Sequence, residues 1–183
     1  MIMIRKSKMH KDIKEIIFSE EQLIQRSREI GEQITKDFEG EEVLLVGILR
    51  GSILFFADVM RNIDLDCKID FMGVKSYDGT VSKELTITKD LSENIEGKNI
   101  ILVKDILDTG KTLAFIKREL AKRNPKSISI CTLLDKKIEK SEEVKAQYIG
   151  FEVDNVFVVG YGLDYSQKYR NLPYIGVIKE EAI

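Results

Sequence analysis

The sequence predicts an α/β fold built on a twisted, mostly parallel sheet flanked by helices. Three observations carry that expectation. Short β-branched, Leu-rich runs alternate with stretches of helical periodicity along most of the 183 residues. Some of those β-like runs are continuously apolar, as in strands covered on both faces by helices. The junctions leading into the helical stretches carry Gly, Ser, Thr and Asp, the residues of tight turns and helix caps.

In chain order, Ser19-Glu-Glu-Gln22 reads as a capping box that opens a long amphipathic helix. Its apolar face includes Leu23, Ile24, Ile30 and Ile34, and Gly40 closes the segment. Val43–Leu49 reads as a buried central strand, too short for a helix. Arg50-Gly51-Ser52 breaks it, and residues 53–63 resume as a helix. Residues 67–74 alternate like a strand with one face in the core. The polar stretch 76–84, opened by Ser76 and Tyr77, has little to pack and reads as a flexible loop. A short strand at 85–89 and a buried strand at 100–103 follow, the second entered through Gly97-Lys-Asn99. Lys104-Asp-Ile-Leu-Asp-Thr-Gly-Lys-Thr112 then leads into a helix through about Arg123, ended by Asn124-Pro125. Residues 127–134, 149–153, 156–161 and 174–178 complete the strands. Pro occurs only at Pro125 and Pro173, and no repeat or linker interrupts the pattern, so one domain over residues 1–183 is expected.

Composition narrows the function classes. Lys plus Arg number 29 against 31 Asp plus Glu, a net charge of −2, which lacks the basic excess of a nucleic-acid binder. No apolar run approaches the roughly 20 residues that span a bilayer, and the basic opening Met1–Lys8 is not followed by a signal-like apolar stretch. Cys67 and Cys131 stand far apart without a CxxC spacing, which fits a reducing cytoplasm and two small buried hydrophobes. His10, in a polar stretch, is expected to be solvated.

The informative segment runs from Asp105 to Thr112. Parallel strands deliver their C-terminal ends to a common crevice, and a Gly-containing turn entering a helix there aims unpaired N–H groups at an anion. Thr109 and Thr112 add hydroxyls, and Gly110 permits close approach. A P-loop needs Gly at position 105, where Asp stands. A carboxylate beside a phosphate needs a cation, a sugar hydroxyl or a proton between them. The pattern therefore fits a sugar phosphate whose hydroxyls face Asp105, with acid/base work at Asp108. Capping alone would account for the turn but not for the second carboxylate.

Val103-Lys-Asp-Ile-Leu-Asp-Thr-Gly-Lys-Thr-Leu113 resembles the phosphoribosyl pyrophosphate signature of the type I phosphoribosyltransferases. From about residue 12 to residue 179 the chain is similar to their bacterial hypoxanthine-guanine branch. Four segments stand in the family order: Leu49-Arg-Gly-Ser52, Ser76-Tyr77, residues 105–112, and Phe157-Val-Val-Gly-Tyr-Gly-Leu-Asp-Tyr165 with Arg170. The last of these is the purine-side motif of that branch.

The resemblance implies the type I phosphoribosyltransferase fold, with a core over residues 40–160 and a small accessory hood lobe from both chain ends. It implies magnesium-dependent purine salvage in the cytoplasm, converting hypoxanthine or guanine to IMP or GMP, by a homodimer or homotetramer. Asp108 would be the general base, and the run Asp105, Asp108, Thr109, Gly110, Lys111 and Thr112 would hold the phosphoribosyl group. Arg50, Gly51 and Arg170 would meet pyrophosphate, with a cis peptide before Arg50 aiming a backbone N–H at it. Lys136 would donate to the purine 6-oxo group, Phe157 would stack on the base, and Val158 and Asp164 would read its edge. Ser76 and Tyr77 would begin a loop that folds over the site. Asp105 and Asp164 would serve Mg2+, and Lys104 stands where relatives carry Glu. A xanthine-preferring enzyme, a nucleotide-sensing RNA-binding regulator and a catalytically dead nucleotide-binding subunit are the competing readings.

Overall fold

The structure is a computed structural model that describes residues 8–78 and 83–183. Strand β1, Ile13–Phe18, precedes helix α1, Glu20–Asp37, which opens on the expected capping box: Gln22 N–H donates to Ser19 Oγ, and Ser19 N–H to Gln22 Oε1. Strand β2, Val43–Leu49, has the bounds the sequence indicates, and α2, Ile53–Met60, follows after one turn. Strands β3, Cys67–Asp78, and β4, Lys83–Lys89, form a hairpin. Then come β5, Asn99–Leu107, α3, Lys111–Ala121, β6, Ser127–Lys136, and β7, Tyr148–Val153. The chain ends with β8, Val158–Val159, β9, Ile175–Ile178, and a short 3₁₀ turn at Glu180–Ala182.

Six strands make one sheet in the order β4-β3-β2-β5-β6-β7, parallel throughout except for β4. Its period-two alternation sends successive side chains to opposite faces. Val43 and Leu45 of β2 pack with Leu23, Ile30 and Ile34 of α1 and with Phe55 of α2; Leu44, Val46 and Ile48 pack with Leu113, Ile116 and Leu120 of α3. Both faces are covered, which explains the unbroken apolar run. After β2 the chain winds one way to β3, and from β5 it winds the other way through β6 to β7. The reversal between β2 and β5 opens a crevice beyond their C-terminal ends, where ligands of open α/β sheets bind. A second, antiparallel sheet, β1-β9-β8, draws residues from both chain ends around Ile13, Val159, Tyr174 and Ile178.

Several expectations need correction. Ser76 and Tyr77 do not begin a loop: β3 continues to Asp78, with Ser76 opposite Leu85 and Tyr77 opposite Glu84. Backbone pairing at a sheet edge asks little of side-chain polarity, so a polar composition did not preclude strands. The remainder of the expected loop, residues 79–82, lies outside the described residues. The core begins before residue 40, because the α1 stripe belongs to it. Ile24 is not in that stripe but exposed, one step off the face set by Leu23, Ile30 and Ile34. Helix α2 stops at Met60, and β8 shrinks to two residues. Strand β1 escaped the sequence reading because only Ile13 is buried and the burial of the rest shows no alternation. The His10 side chain is 39% exposed, as expected, although its backbone N–H donates to Tyr174 OH and its ring stands edge-on to Tyr169. Cys131 is buried as expected, whereas Cys67 is only half-buried. Among the described residues no helix is long and apolar enough to cross a membrane.

Candidate active site

The ends of β2 and β5 meet a third segment, residues 160–170, in backbone-to-side-chain contact. The Leu49–Arg50 peptide is cis. A Cβ placed on Gly51 would lie 1.6 Å from Asp105 Oδ2, and one on Gly162 would lie 2.0 Å from the Gly51 carbonyl oxygen. Only glycines let these three strips of chain touch. Asp105 is buried by that contact, and its Oδ1 accepts from the Ile106 N–H at 3.0 Å and from the Lys104 ammonium.

Beyond Asp105 the strand runs into the turn. Gly110 caps α3 in the left-handed region, φ +86°, and has no side chain to occupy the helix N-terminus. The turn encloses a cavity of about 170 Å³ lined by Lys104 and residues 106–113. Asp108 stands half-exposed at its rim. Lys136, at the end of the neighbouring strand β6, brings its ammonium to 3.9 Å from Asp108 Oδ2 and donates to Asn155 Oδ1 at 3.3 Å. Because β5 and β6 are parallel and adjacent, both residues emerge at the same edge of the sheet.

The 160–170 segment brings in the remaining residues. Arg170 pairs with Asp164 at 2.6 Å and donates to the Gly162 carbonyl at 2.7 Å. Both Arg170 and Arg50 reach Gln167 Oε1, at 3.2 and 3.3 Å, so one amide gathers two guanidinium groups from distant segments. Tyr161, Ser166, Gln167 and Tyr169 all have positive φ. The Tyr161 hydroxyl donates to Asp58 on α2, and burial, reinforced by that carboxylate, pushes it above the usual phenol range. Phe157 is 48% exposed while Val158 and Val159 are buried, so the aromatic ring is presented rather than packed away. It stands edge-on to Tyr165 and borders a roomier recess of about 640 Å³ on the small sheet's side. Phe157 is the sole candidate residue lining that recess, so the larger hollow is not the one that holds the carboxylates and the phosphate turn.

The crevice thus combines a phosphate-ready helix start, a carboxylate–lysine pair and two arginines at a topological switch point. The profile of the phosphoribosyl transferase domain matches residues 14–166. The chain belongs to the phosphoribosyl transferase family. Within that family it is 46% identical, over 175 residues, to the hypoxanthine-guanine phosphoribosyltransferase of Streptococcus thermophilus; the match covers 94% of this chain and 97% of that one. Its fold superposes on the crystal structure of a hypoxanthine phosphoribosyltransferase from Staphylococcus aureus with a TM-score of 0.92 at 44% identity, covering 97% and 98% of the two chains. A hypoxanthine-guanine-xanthine phosphoribosyltransferase structure matches with a TM-score of 0.87 at 35% identity, over 93% and 100%. The fold is the type I phosphoribosyltransferase fold that the sequence resemblance implies.

Sequence reasoning missed Gln167 and Asn155. Each is a polar residue in a polar stretch, and only the fold brings them to the two arginines and to Lys136. Lys104 is the opposite case. Its sequence position marked it as unusual, and the structure turns it onto Asp105, neutralising the carboxylate beside it.

Proposed function

We propose that this family member transfers the 5-phosphoribosyl group from phosphoribosyl pyrophosphate to hypoxanthine or guanine, giving IMP or GMP and pyrophosphate. The observation that carries the reading is the Asp108–Lys136 pair at the mouth of the phosphate turn. A 6-oxo purine presents an acceptor at one edge and a ring N–H at another, and this pair offers a donor and a proton acceptor. Lys136 would donate to the 6-oxo group; a 6-amino purine would set donor against donor, which favours hypoxanthine and guanine over adenine. Asp108 would take or share the ring proton as the nitrogen attacks C1 of the ribose.

The other residues would divide the remaining work. Thr109, Gly110, Lys111 and Thr112 would hold the 5′-phosphate at the N-terminus of α3. Arg50 and Arg170 would leave Gln167 for pyrophosphate, with the Gly51 N–H beside them. Phe157 would cover one face of the base, the Val158 backbone would read its edge, and Asp164 would complete the guanine side.

Among the described residues no cluster of three or more His, Cys, Asp or Glu forms a metal cage. The donors present still suit Mg2+, which binds through one or two carboxylates together with phosphate oxygens and water. Asp105 and Asp164 would be those carboxylates, each at present paired with a cation of the protein. Bound there, Mg2+ would supply charge neutralisation for the leaving pyrophosphate. We place the enzyme in the cytoplasm, consistent with its free cysteines, and expect a homodimer or homotetramer.

Turnover of hypoxanthine, guanine, xanthine and adenine with phosphoribosyl pyrophosphate and Mg2+ tests the proposal. Activity with the first two that falls at least about 10²-fold in Asp108→Asn supports it. Preference for xanthine would move the assignment to the xanthine-using relatives, and salt-sensitive RNA binding without turnover would replace it.

A further inference from the structure

We propose that Lys140 is a positioning residue: with Ser141 it straps the phosphate turn to the end of β6 and so sets the spacing between Asp108 and Lys136. The inference rests on the roles assigned above to those two residues and adds a lysine that touches neither substrate.

The parallel ladder between β5 and β6 has its last rung at Leu107–Asp135. Asp108 and Lys136 each lie one residue beyond it; Lys136 is still paired with Val153 of β7, but no rung of the β5–β6 ladder fixes its separation from Asp108. Lys140 takes over there. Its ammonium donates to the Lys136 carbonyl at 2.6 Å, to Asp135 Oδ1 at 2.7 Å and to the Leu107 carbonyl at 3.2 Å. An ammonium has three protons, and these three acceptors use all of them. Every acceptor belongs to the last rung or to Lys136 itself, so one side chain ties the ends of two strands together. The Lys140 and Asp135 side chains are each only 21% exposed, which shelters this charge-assisted bond from full solvent screening.

The next residues extend the contact along the turn. Ser141 donates to the Thr109 carbonyl twice, from its N–H at 3.0 Å and from Oγ at 3.1 Å. The Glu142 carbonyl oxygen lies 3.3 Å from where a Cβ on Gly110 would stand. Residues 140–142 therefore follow residues 107–110 almost step for step. A shift of the strap would move the phosphate turn and the base-reading lysine relative to each other.

The test compares kcat/KM for hypoxanthine and for adenine in wild type, Lys140→Met, Lys140→Arg and Asp135→Asn. The ratio of the two is independent of the folded fraction, because both bases meet the same molecules. The ratio is expected to fall about tenfold in Lys140→Met, less than the ~10²-fold of a full 1 Å misplacement. Lys140→Arg should lie between that variant and wild type. In a Lys136→Met background, Lys140→Met should leave the ratio unchanged, since the group being positioned is gone. A wild-type ratio in Lys140→Met, or an equal fall in both backgrounds, would overturn the proposal. Should Lys140→Met not fold, Asp135→Asn must lower the ratio in the same direction; an unchanged ratio there overturns it equally. A wild type that turns over no purine would sink the functional reading and the strap together, whereas an active and discriminating wild type with an unaffected strap variant sinks only the strap.

Discussion

Gly51→Ala offers a sharp test of the site's construction. The new Cβ would stand 1.6 Å from Asp105 Oδ2, 2.6 Å from its Cγ and 3.2 Å from its Cβ. Ordinary contact begins near 3.4 Å, so the carboxylate must retreat by about 1.8 Å, the difference between 3.4 and 1.6 Å. A rotamer change alone does not relieve this, because Asp105 is buried and its own Cβ is already close. Retreat breaks the bond from the Ile106 N–H and the pairing with Lys104. Overpacking of this kind costs ~1–3 kcal/mol, or roughly 2–12 °C of Tm for a chain of this length. A displacement above 1 Å at a reacting centre costs on the order of 10²-fold in rate. Steady-state kinetics in phosphoribosyl pyrophosphate and a thermal melt measure the two effects separately. A variant with wild-type Tm and a kcat/KM within threefold of wild type would refute the argument that Gly51 and Asp105 form one wall of the site.

Three further outcomes follow from the same geometry. Lys104→Glu should lower the Mg2+ concentration for half-maximal rate on the order of tenfold, well within the ~4 kcal/mol that unit charges 4 Å apart exchange at intermediate dielectric; an unchanged requirement would place Lys104 away from the metal. Phe157→Ala should raise the purine KM about 10–100-fold while leaving that for phosphoribosyl pyrophosphate nearly unchanged, since stacking on a base contributes ~1–3 kcal/mol; equal effects on both would mean the ring does not meet the base. Acid should destabilise the fold only below about pH 4. Burial opposes charge on Asp70, yet the Ser92 and Phe71 N–H groups and Lys89 hold its carboxyl below the usual range, and Arg123 does the same for Asp90. Depressed carboxylate pKa values stabilise above the unfolded-chain value of about 3.9 and lose that contribution as pH falls through the folded one. Urea melts between pH 7 and 3 should show the loss, and Asp70→Asn should flatten it; an identical acid limb in that variant would refute the assignment.

The central sheet and its helices were legible because burial on both faces leaves no choice of residue. Val43–Leu49 could be bounded from the sequence since Val43 to Ile48 are all buried, with their side chains packed alternately against α1 and α2 or against α3. The phosphate turn was legible for a related reason, as few residues other than Gly suit a left-handed cap that must also admit an anion. Strand β1 was not, because an edge strand with a solvated face carries no obligatory alternation, and of the β3–β4 hairpin only the bodies of the strands were read, not their extension over residues 75–78 and 83–84. Within the site, Asp108 was read from the residue pattern and Lys136 from the resemblance, but their approach depends on the register of β5 against β6, a long-range fact. Gln167 and Lys140 were invisible for the same reason: each acts through backbone or side-chain partners that are distant in sequence or beyond a strand end.

The placement of charge gives these separate features one physical logic. Each candidate carboxylate in the crevice faces a cation: Asp105 with Lys104, Asp164 with Arg170, and Asp108 with Lys136 at a longer 3.9 Å. Three uncompensated carboxylates around this turn would repel the phosphate that the proposed function assigns to it. Internal pairing removes that repulsion, and two of the cations, Arg170 and Lys136, also rest on the neutral amides of Gln167 and Asn155. Under the proposed function, an arriving pyrophosphate would compete for the arginines, and a 6-oxo purine would compete for Lys136. Displacing Arg170 would free Asp164 for a cation, and displacing Lys136 would free Asp108 for a proton. Lys104 departs from this scheme: its partner Asp105 has a side chain only 11% exposed and is walled in by Gly51, whereas Asp108 is half-exposed. The Lys104 pairing is therefore the one least able to rearrange.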